Sequence, residues 1–458
     1  MKSSRSDVHG KFHALPQLRF EDQQLTSFSG LIVVHELFRR LDIKARVRRC
    51  FRDVKVTPIF GHTKIVLLLI VHMVLGFREL RDIRYYVDDP LVKRVLGLKR
   101  LPDVATISRA LSSADEHSVQ RLHRLLRELV LVRLSALCVG CVTLDFDGSV
   151  IGTSRHAQGT AIGFNRKKKG QRSYYPLFCT VAQTGQVLDV LHRSGNVHDS
   201  NGAEAFIREC IAIVKAAVPG VRIEVRMDSA FFSEDIISML NNADVEYTIS
   251  VPFERLAALK ARIEARHKWH AFSETCSYFA LHWKPKKWQR CSRFVVIRTE
   301  APIQRKGPLQ LDLFVPYEYG YEFKVIVTNK GLTAKKVVAF HSGRGTQEGI
   351  FAELKSANAL AYVPCRTWVG NQIYLLCALF AHNLTRELQM IADPPSRGTL
   401  EKRPALWNFT RLSTFRRRII QRAGRLITPQ NRLTLSMSAN KAVETQLLHC
   451  LEALNKAA

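Results

Sequence analysis

Hydrophobic positions along this chain follow two periods. From about residue 30 to 137 they recur at helical spacing, as in GLIVVHELFRRLDI and VQRLHRLLRELVLVRL, which predicts a helical region. Its longest apolar run, Ile65 to Leu75, is interrupted by His72. A membrane span needs about 20 apolar residues, so the run predicts a buried helix, with His72 in the core or at its boundary. Between these helices, LPDVATISRAL at 101–111 offers Asp103 as a cap and sets Thr106, Ser108 and Arg109 on the early turns. The segment fits a DNA-reading helix-turn-helix and an ordinary capped helix about equally, and no base contacts are assigned to it.

At Gly140 the period becomes two. In VTLDFD, Val142, Leu144 and Phe146 alternate with Thr143, Asp145 and Asp147, so both aspartates share one face of a strand. A Gly-rich stretch with a cationic tip follows over 149–173. SYYPLFCTVAQ and QVLDVLHRSG then predict strands joined by a turn at Thr184-Gly185. Asn201 and Glu204 predict a capping box for the helix AEAFIRECIAIVKAAV, which Pro219-Gly220 ends. VRIEVRMD predicts a strand ending at Asp228, SEDIISMLNNADV a helix and EYTISVPF a further strand. This order predicts an α/β fold on a mixed sheet. Residues 255–330 are strand-rich and aromatic, and helices return with GRGTQEGIFAELK and GNQIYLLCALFAHNLTRELQMI. Pro394-Pro395 marks a boundary, beyond which FRRRIIQRAGRL predicts a basic helix. The expected organisation is a basic arm (1–29), a helical DNA-binding domain (30–137), a core in two parts (138–254 and 331–392) split by a β-rich insertion (255–330), and a basic C-terminal segment (393–458).

Composition narrows the partners. The 458 residues suffice for two or three domains, and a 46% hydrophobic content excludes a disordered chain. Sixty-nine Lys and Arg against 40 Asp and Glu leave a net charge of +29. That excess points to a polyanion, most commonly nucleic acid, with a ribosomal or membrane-surface protein as the plainer alternative. Of the ten cysteines only Cys138 and Cys141 stand close, and no second pair or His pair sits at zinc-finger spacing. They read as reduced thiols, and with no apolar secretory segment a cytoplasmic location is expected.

Three acidic residues could carry chemistry. Asp147 and Asp228 end strands, and Glu348 lies on a helix with two cations. At about 100° per residue, Arg344, Glu348 and Lys355 fall at roughly 0°, 40° and 20° on the wheel, an acid flanked by two cations on one stripe. Ile350, Phe351 and Leu354 occupy the adjacent arc and would seat that helix on the core. Glu353, about 140° from Glu348, is expected to face solvent. Three carboxylates converging from distant segments suit divalent cations that neutralise an attacking and a leaving phosphate oxygen. Each residue also has a plainer reading. A strand-end Asp commonly serves a turn, and the stripe could be an ordinary i,i+4 ion pair. Asp145 could replace Asp147 as the ligand. Asp147 is preferred as the last strand residue beside Gly148, while Asp199 is explained by its place before a helix cap.

These residues resemble bacterial insertion-sequence transposases of the DDE type, which have an RNase H-like catalytic core. The resemblance runs from about residue 30 to 390. The family signature is Tyr, two residues, Arg, three residues, Glu, six residues, Lys. Arg344, Glu348 and Lys355 match it, and His341 takes the Tyr position. Asp147-Gly148-Ser149 is similar to the family's Asp-Gly-Thr turn, and Arg226-Met227-Asp228-Ser229 to its Arg-x-Asp-Ser strand end. The resemblance implies an RNase H-like mixed-sheet core with a β-rich insertion, preceded by a helical domain and followed by a basic helical segment. It implies a transposase that cuts DNA at element ends and joins them to a target, by attack of water and then of a 3′ hydroxyl. It makes Asp147, Asp228 and Glu348 the catalytic residues and the ligands of two Mg²⁺ ions, for which Mn²⁺ can substitute. Arg344, Lys355 and His341 would contact the DNA backbone. His341 departs from Tyr in changing charge near neutral pH. Trp269, Trp283 and Trp288 of the insertion could stack on a flipped base or be buried in the core. The implied partners are double-stranded DNA, at element ends and target, and a second copy of the chain in a homodimer, with the protein at the bacterial nucleoid. A nuclease that cuts without joining and a catalytically silent DNA-binding derivative are the alternatives.

Overall fold

The computed structural model describes residues 17–21, 23–54, 59–154, 156–163, 165, 168–197, 201–300, 321–397 and 405–456. Most of the basic arm, Asp199 and part of the cationic tip at 166–169 lie outside the described residues. Six helices come first: α1 (Leu31–Arg40), α2 (Ile43–Cys50), α3 (His62–Leu75), α4 (Pro90–Leu96), α5 (Val104–Ser112) and α6 (Glu116–Ala136). The starts of the last three are marked by side-chain caps. Asp89 accepts from the Leu91 and Val92 amides ahead of α4, Asp103 from Thr106 ahead of α5, and Asp115 from Ser118 ahead of α6. Because α3 is apolar on all sides it is buried along nearly its whole length. His72 is a core residue whose Nδ1 lies 2.8 Å from the Tyr86 hydroxyl. Burial lowers its pKa to about 4.

Five strands of the main sheet follow as β1 (Cys141–Gly148), β2 (Leu177–Val181), β3 (Gln186–Leu191), β4 (Arg222–Met227) and β5 (Glu246–Ser250), while the short strands Ile151–Gly152, Ala161–Ile162 and Arg172–Tyr174 pair in a small sheet of their own. They lie in the order β3-β2-β1-β4-β5. The pairs β1–β2 and β2–β3 are antiparallel, and β1, β4 and β5 are parallel. That is the order and direction of an RNase H-like sheet. The parallel pairs need crossovers, which α7 (Ala203–Ala217) and α8 (Glu234–Asn242) supply. These helices cover the apolar face made by Val142, Leu144, Phe146, Ile223, Val225 and Met227, all fully buried. Each such side chain contributes roughly 1.5–3 kcal/mol by leaving water. The proposed capping box at Asn201 and Glu204 does not form. Gly202, with φ 72°, occupies the cap position without a side-chain bond, and Glu204 instead pairs with Arg208 one turn on.

The insertion does not make a separate layer. Its strands β6 (Cys276–Trp283), β7 (Ser292–Glu300) and β8 (Tyr321–Thr328) pair antiparallel in turn, and β8 docks antiparallel on β5. With the short edge strand His270–Ala271 paired on β6, the result is one nine-stranded sheet. Three helices follow the sheet, α9 (Ala334–Ser342), α10 (Gly345–Ala357) and α11 (Trp368–Ala392), and another, Lys441–Lys456, lies near the C-terminus. No helix is long and apolar enough to cross a membrane among the described residues.

The basic C-terminal segment is helical only in part. FRRRIIQRAGRL leaves its helical turns after Ile420 and becomes the strand Gly424–Ile427, which pairs with Leu25–Thr26 and with Thr434–Met437. Gly424 permits this, since a Cβ there would lie 2.2 Å from Ser29 Oγ. Arg416 is taken up by the core. Its guanidinium donates to the carbonyls of Val74 at 2.7 Å, Met73 at 3.1 Å and Ala357 at 2.8 Å, which satisfies the open carbonyls at the ends of α3 and α10.

Candidate active site

The second face of the sheet is polar, and its side chains fall into three rows. Strand alternation puts Thr143, Asp145 and Asp147 of β1 on this face, with Glu224 and Arg226 of β4, and Glu246, Thr248 and Ser250 of β5. The register pairs Thr143 with Glu224 and Glu224 with Glu246. One step on it pairs Asp145 with Arg226 and Arg226 with Thr248. One step past the last paired residues, Phe146, Met227 and Ile249, stand Asp147, Asp228 and Ser250.

The first two rows are closed ionic networks. Lys330, 1% exposed, bridges Glu224 and Glu246, and Thr143 donates to Glu224 at 3.0 Å. Arg226, fully buried, grips both oxygens of Asp145 at 2.6 and 2.7 Å and donates to the Phe340 carbonyl at 3.1 Å. Buried charges persist only when paired and hydrogen-bonded, and here each has its partner. Asp145 is therefore structural, which leaves Asp147 as the aspartate of this strand that faces outward. α9 and α10 close over these rows. The chain breaks between them at Gly343, where a Cβ would lie 2.1 Å from Arg226 Nη1. Gln347 Nε2 then anchors α10 by donating to the Asp145 carbonyl at 2.9 Å, and Phe351 packs on Phe178 of β2.

The third row opens into a cleft of about 1120 Å³. Parallel strands stand about 4.8 Å apart, so Asp147 and Asp228 project side by side from adjacent strand ends. Asp228 also accepts from the Ala230 amide at 3.0 Å. Gly148, Ser149, Asp228, Ser250, Lys324 and Lys355 line the cleft. Arg344 precedes the first residue of α10 in helical conformation (φ −56°, ψ −29°). It donates to Asp147 at 3.1 Å and stands 3.9 Å from Glu348. Glu348 is 69% exposed and does not line the cleft. Asp228 and Lys355 thus share the cleft, Asp147 is tied to Arg344 at the end of the neighbouring strand, and Glu348 lies beyond Arg344. Asp147 and Asp228 offer the hard oxygen donors that a divalent cation of the Mg²⁺ type takes. Among the described residues no three His, Cys, Asp or Glu close on one point at metal-binding spacing.

Two sequence expectations are corrected. His341 does not reach out to DNA. It is 1% exposed, with Nε2 2.8 Å from Ser250 Oγ and Nδ1 3.0 Å from Thr248 Oγ1. Burial and the cations Lys324, Arg344 and Arg226 push its pKa down to about 3, so it carries no charge near neutral pH. Glu353 does not face solvent. It pairs with Arg386 and accepts from the Leu412 amide at 3.0 Å, because α10 is packed on its far side as well. The tryptophans are all engaged within the protein. Trp283 packs edge-on against Phe294, Trp288 stacks on Phe232, and Trp269 lies under Arg298 at 4.3 Å.

Sequence reasoning missed Ser250, Lys324 and Gln347. The signal for Ser250 was present, since EYTIS alternates polar and apolar as VRIEVRMD does. Partial burial and Arg344 hold Lys324 below its ordinary pKa, which no sequence pattern announces.

No curated protein sequence matches this chain. Among solved structures it is similar to a cryo-EM structure of a piggyBac transposase synaptic complex with hairpin DNA. The two share 11% identity and a TM-score of 0.40, over 85% of this chain and 81% of that one. A family described as transposase DDE domain group 1 matches residues 11–458, nearly the whole length, and the chain belongs to that family.

Proposed function

We propose that the protein is a DNA transposase that cuts at the ends of an insertion element and joins those ends to target DNA, working as a homodimer at the bacterial nucleoid. The observation that carries this reading is the cleft lined by Asp228, at the end of the strand beside the one that carries Asp147, with its other lining charges mainly basic. Asp147, Asp228 and Glu348 are the residues that would hold divalent cations, two Mg²⁺ with Mn²⁺ as a substitute. When bound, these ions neutralise charge on the attacking and leaving oxygens.

The chain's own residues do the rest. Lys355 and Lys324 bind phosphates that enter the cleft. Arg344 tethers Asp147 now and can turn to a phosphate, since a guanidinium forms bidentate bonds with either anion. In the first step water attacks the phosphodiester, a new P–O bond forms and the element's 3′ oxygen leaves with a proton. In the second, that 3′ hydroxyl attacks a target phosphodiester, joining the strands and releasing a target 3′ hydroxyl. The net charge of +29 supports a DNA partner, with affinity that falls steeply with salt.

The test incubates the protein with Mg²⁺, a labelled duplex bearing its element end and a supercoiled plasmid, beside Asp228→Asn. Joined product that disappears in the variant is expected. Cutting without joining would make the protein a nuclease. Binding with neither product would mean that Arg344 stays between Asp147 and Glu348, as in a silent derivative.

A further inference from the structure

Cation-assisted cleavage leaves Ser250 and His341 without a role, yet both are held firmly. Ser250 ends β5 and lines the cleft. The register pairs Met227 with Ile249, so the next step sets Ser250 beside Asp228. Behind Ser250, the His341 imidazole is bonded at both ring nitrogens, to Ser250 Oγ at 2.8 Å and to Thr248 Oγ1 at 3.0 Å. The charged groups facing the ring are Lys324 of β8, Arg344 ahead of α10 and Arg226 of β4. All three are cations, so the ring stays neutral and carries one N–H. Placing that N–H on Nδ1, toward Thr248 Oγ1, leaves Nε2 an acceptor. Nε2 therefore takes the Ser250 hydroxyl proton, and the lone pairs of Oγ turn toward the cleft.

We infer that Ser250 is a positioning residue of the cleft, its hydroxyl polarised by His341 so that Oγ and the Asp228 carboxylate together hold one water molecule. The spacing fits. Neighbouring strands stand about 4.8 Å apart, a spacing that a water donating at about 2.8 Å to each side chain can bridge. A water donating both protons in this way presents its lone pairs outward, where an incoming phosphorus or a cation meets them. This rests on reading the cleft as a hydrolytic site.

The experiment has two arms. In single-turnover cleavage of an element-end duplex, Ser250→Ala is expected to be at least tenfold slower with DNA binding unchanged, and Ser250→Thr to recover most of the rate. His341→Phe should match Ser250→Ala, and the double variant should be no slower than either, because both remove one unit. Wild-type rates in Ser250→Ala, or multiplied losses in the double variant, would overturn the inference. The second arm needs no catalysis. ¹⁵N-histidine spectra of the wild-type protein without DNA should show His341 with its proton on Nδ1 and no titration through the neutral range. A proton on Nε2 in a protein that cuts DNA would sink the inference alone. The expected spectrum in a protein that cuts no DNA would sink the cleavage reading and uphold the polarity of Ser250.

Discussion

Asp145 and Asp147 stand two residues apart on one face of one strand, and each meets an arginine, yet the two pairs are different objects. Asp145 and Arg226 are both essentially sealed and bonded at two points, while Asp147 and Arg344 are 18% and 21% exposed and share one bond of 3.1 Å. What separates them is depth under α9 and α10. One step along β1 moves a carboxylate from beneath the break at Gly343 to the rim of the cleft. The inner pair is fixed because either charge alone would be stranded in the core. The outer pair can exchange partners with solvent and ligands at little loss, which is what a binding site needs.

The comparison breaks most visibly in activity. Asp147→Asn should abolish cleavage of an element-end duplex, by on the order of 10³-fold or more, as when an electrostatic group at the reacting centre is removed. Its stability in urea should stay within about 1 kcal/mol of wild type, since a rim ion pair contributes no more than that. Asp145→Ala should do the reverse at the level of folding. Leaving Arg226 buried and unpaired costs about 3–5 kcal/mol, read as a lower urea midpoint. A stable Asp145→Ala protein would mean that water or another acceptor reaches Arg226, and the distinction between the rows would fall.

Much of this was legible in the sequence, and the limits have physical causes. The period-two alternation in VTLDFD and VRIEVRMD gave both aspartates their face and their place at strand ends. The spacing of Arg344, Glu348 and Lys355 predicted one stripe, but Lys355 lines the cleft while Glu348 stands exposed outside it. What the wheel could not show is that Arg344 precedes the helix and bends to Asp147, because that depends on the break at Gly343, which exists to admit Arg226 from another strand. The solvent-facing expectation for Glu353 failed for a similar reason. A single helix wheel knows one buried face, and α10 has neighbours on two sides. The capping box failed because Gly202 reached the left-handed region more easily than Asn201 could cap. The full helical reading of the C-terminal segment failed because Arg416 and Gly424 serve contacts hundreds of residues away.

His341 extends the comparison to pH. Its folded pKa is pushed down to about 3 from an unfolded value of 6.5. Below pH 6.5 the unfolded chain takes up a proton that the folded chain refuses, so the stability it contributes is complete above 6.5 and falls as the pH drops toward 3. The slope is about 1.4 kcal/mol per pH unit, or roughly 2 kcal/mol lost by pH 5. The buried His72, His192 and His382 have lowered values too, so the measurement is a difference. Urea unfolding of wild type and His341→Gln between pH 7 and 5 should give a shallower pH dependence for the variant. Equal slopes would mean that His341 is reached by solvent and belongs with the open row.

The smallest effect is the most discriminating, because it pits one arginine against the other. Arg344→Ala removes the partner of Asp147 and the neighbour of Glu348. Without DNA it should change folding stability by less than about 1 kcal/mol, the range of a partly exposed pair in high dielectric. Arg226→Ala, with the same partner type, should cost several times more. The two arginines should then trade places when DNA is added. Losing one phosphate contact should weaken binding of any duplex and lower the salt slope by about one, so Arg344→Ala would show a shallower slope while a folded Arg226 variant would not. An Arg344→Ala protein that loses several kcal/mol of stability, with an unchanged salt slope, would place Arg344 in the scaffold and leave Lys355 and Lys324 as the cations that meet the DNA.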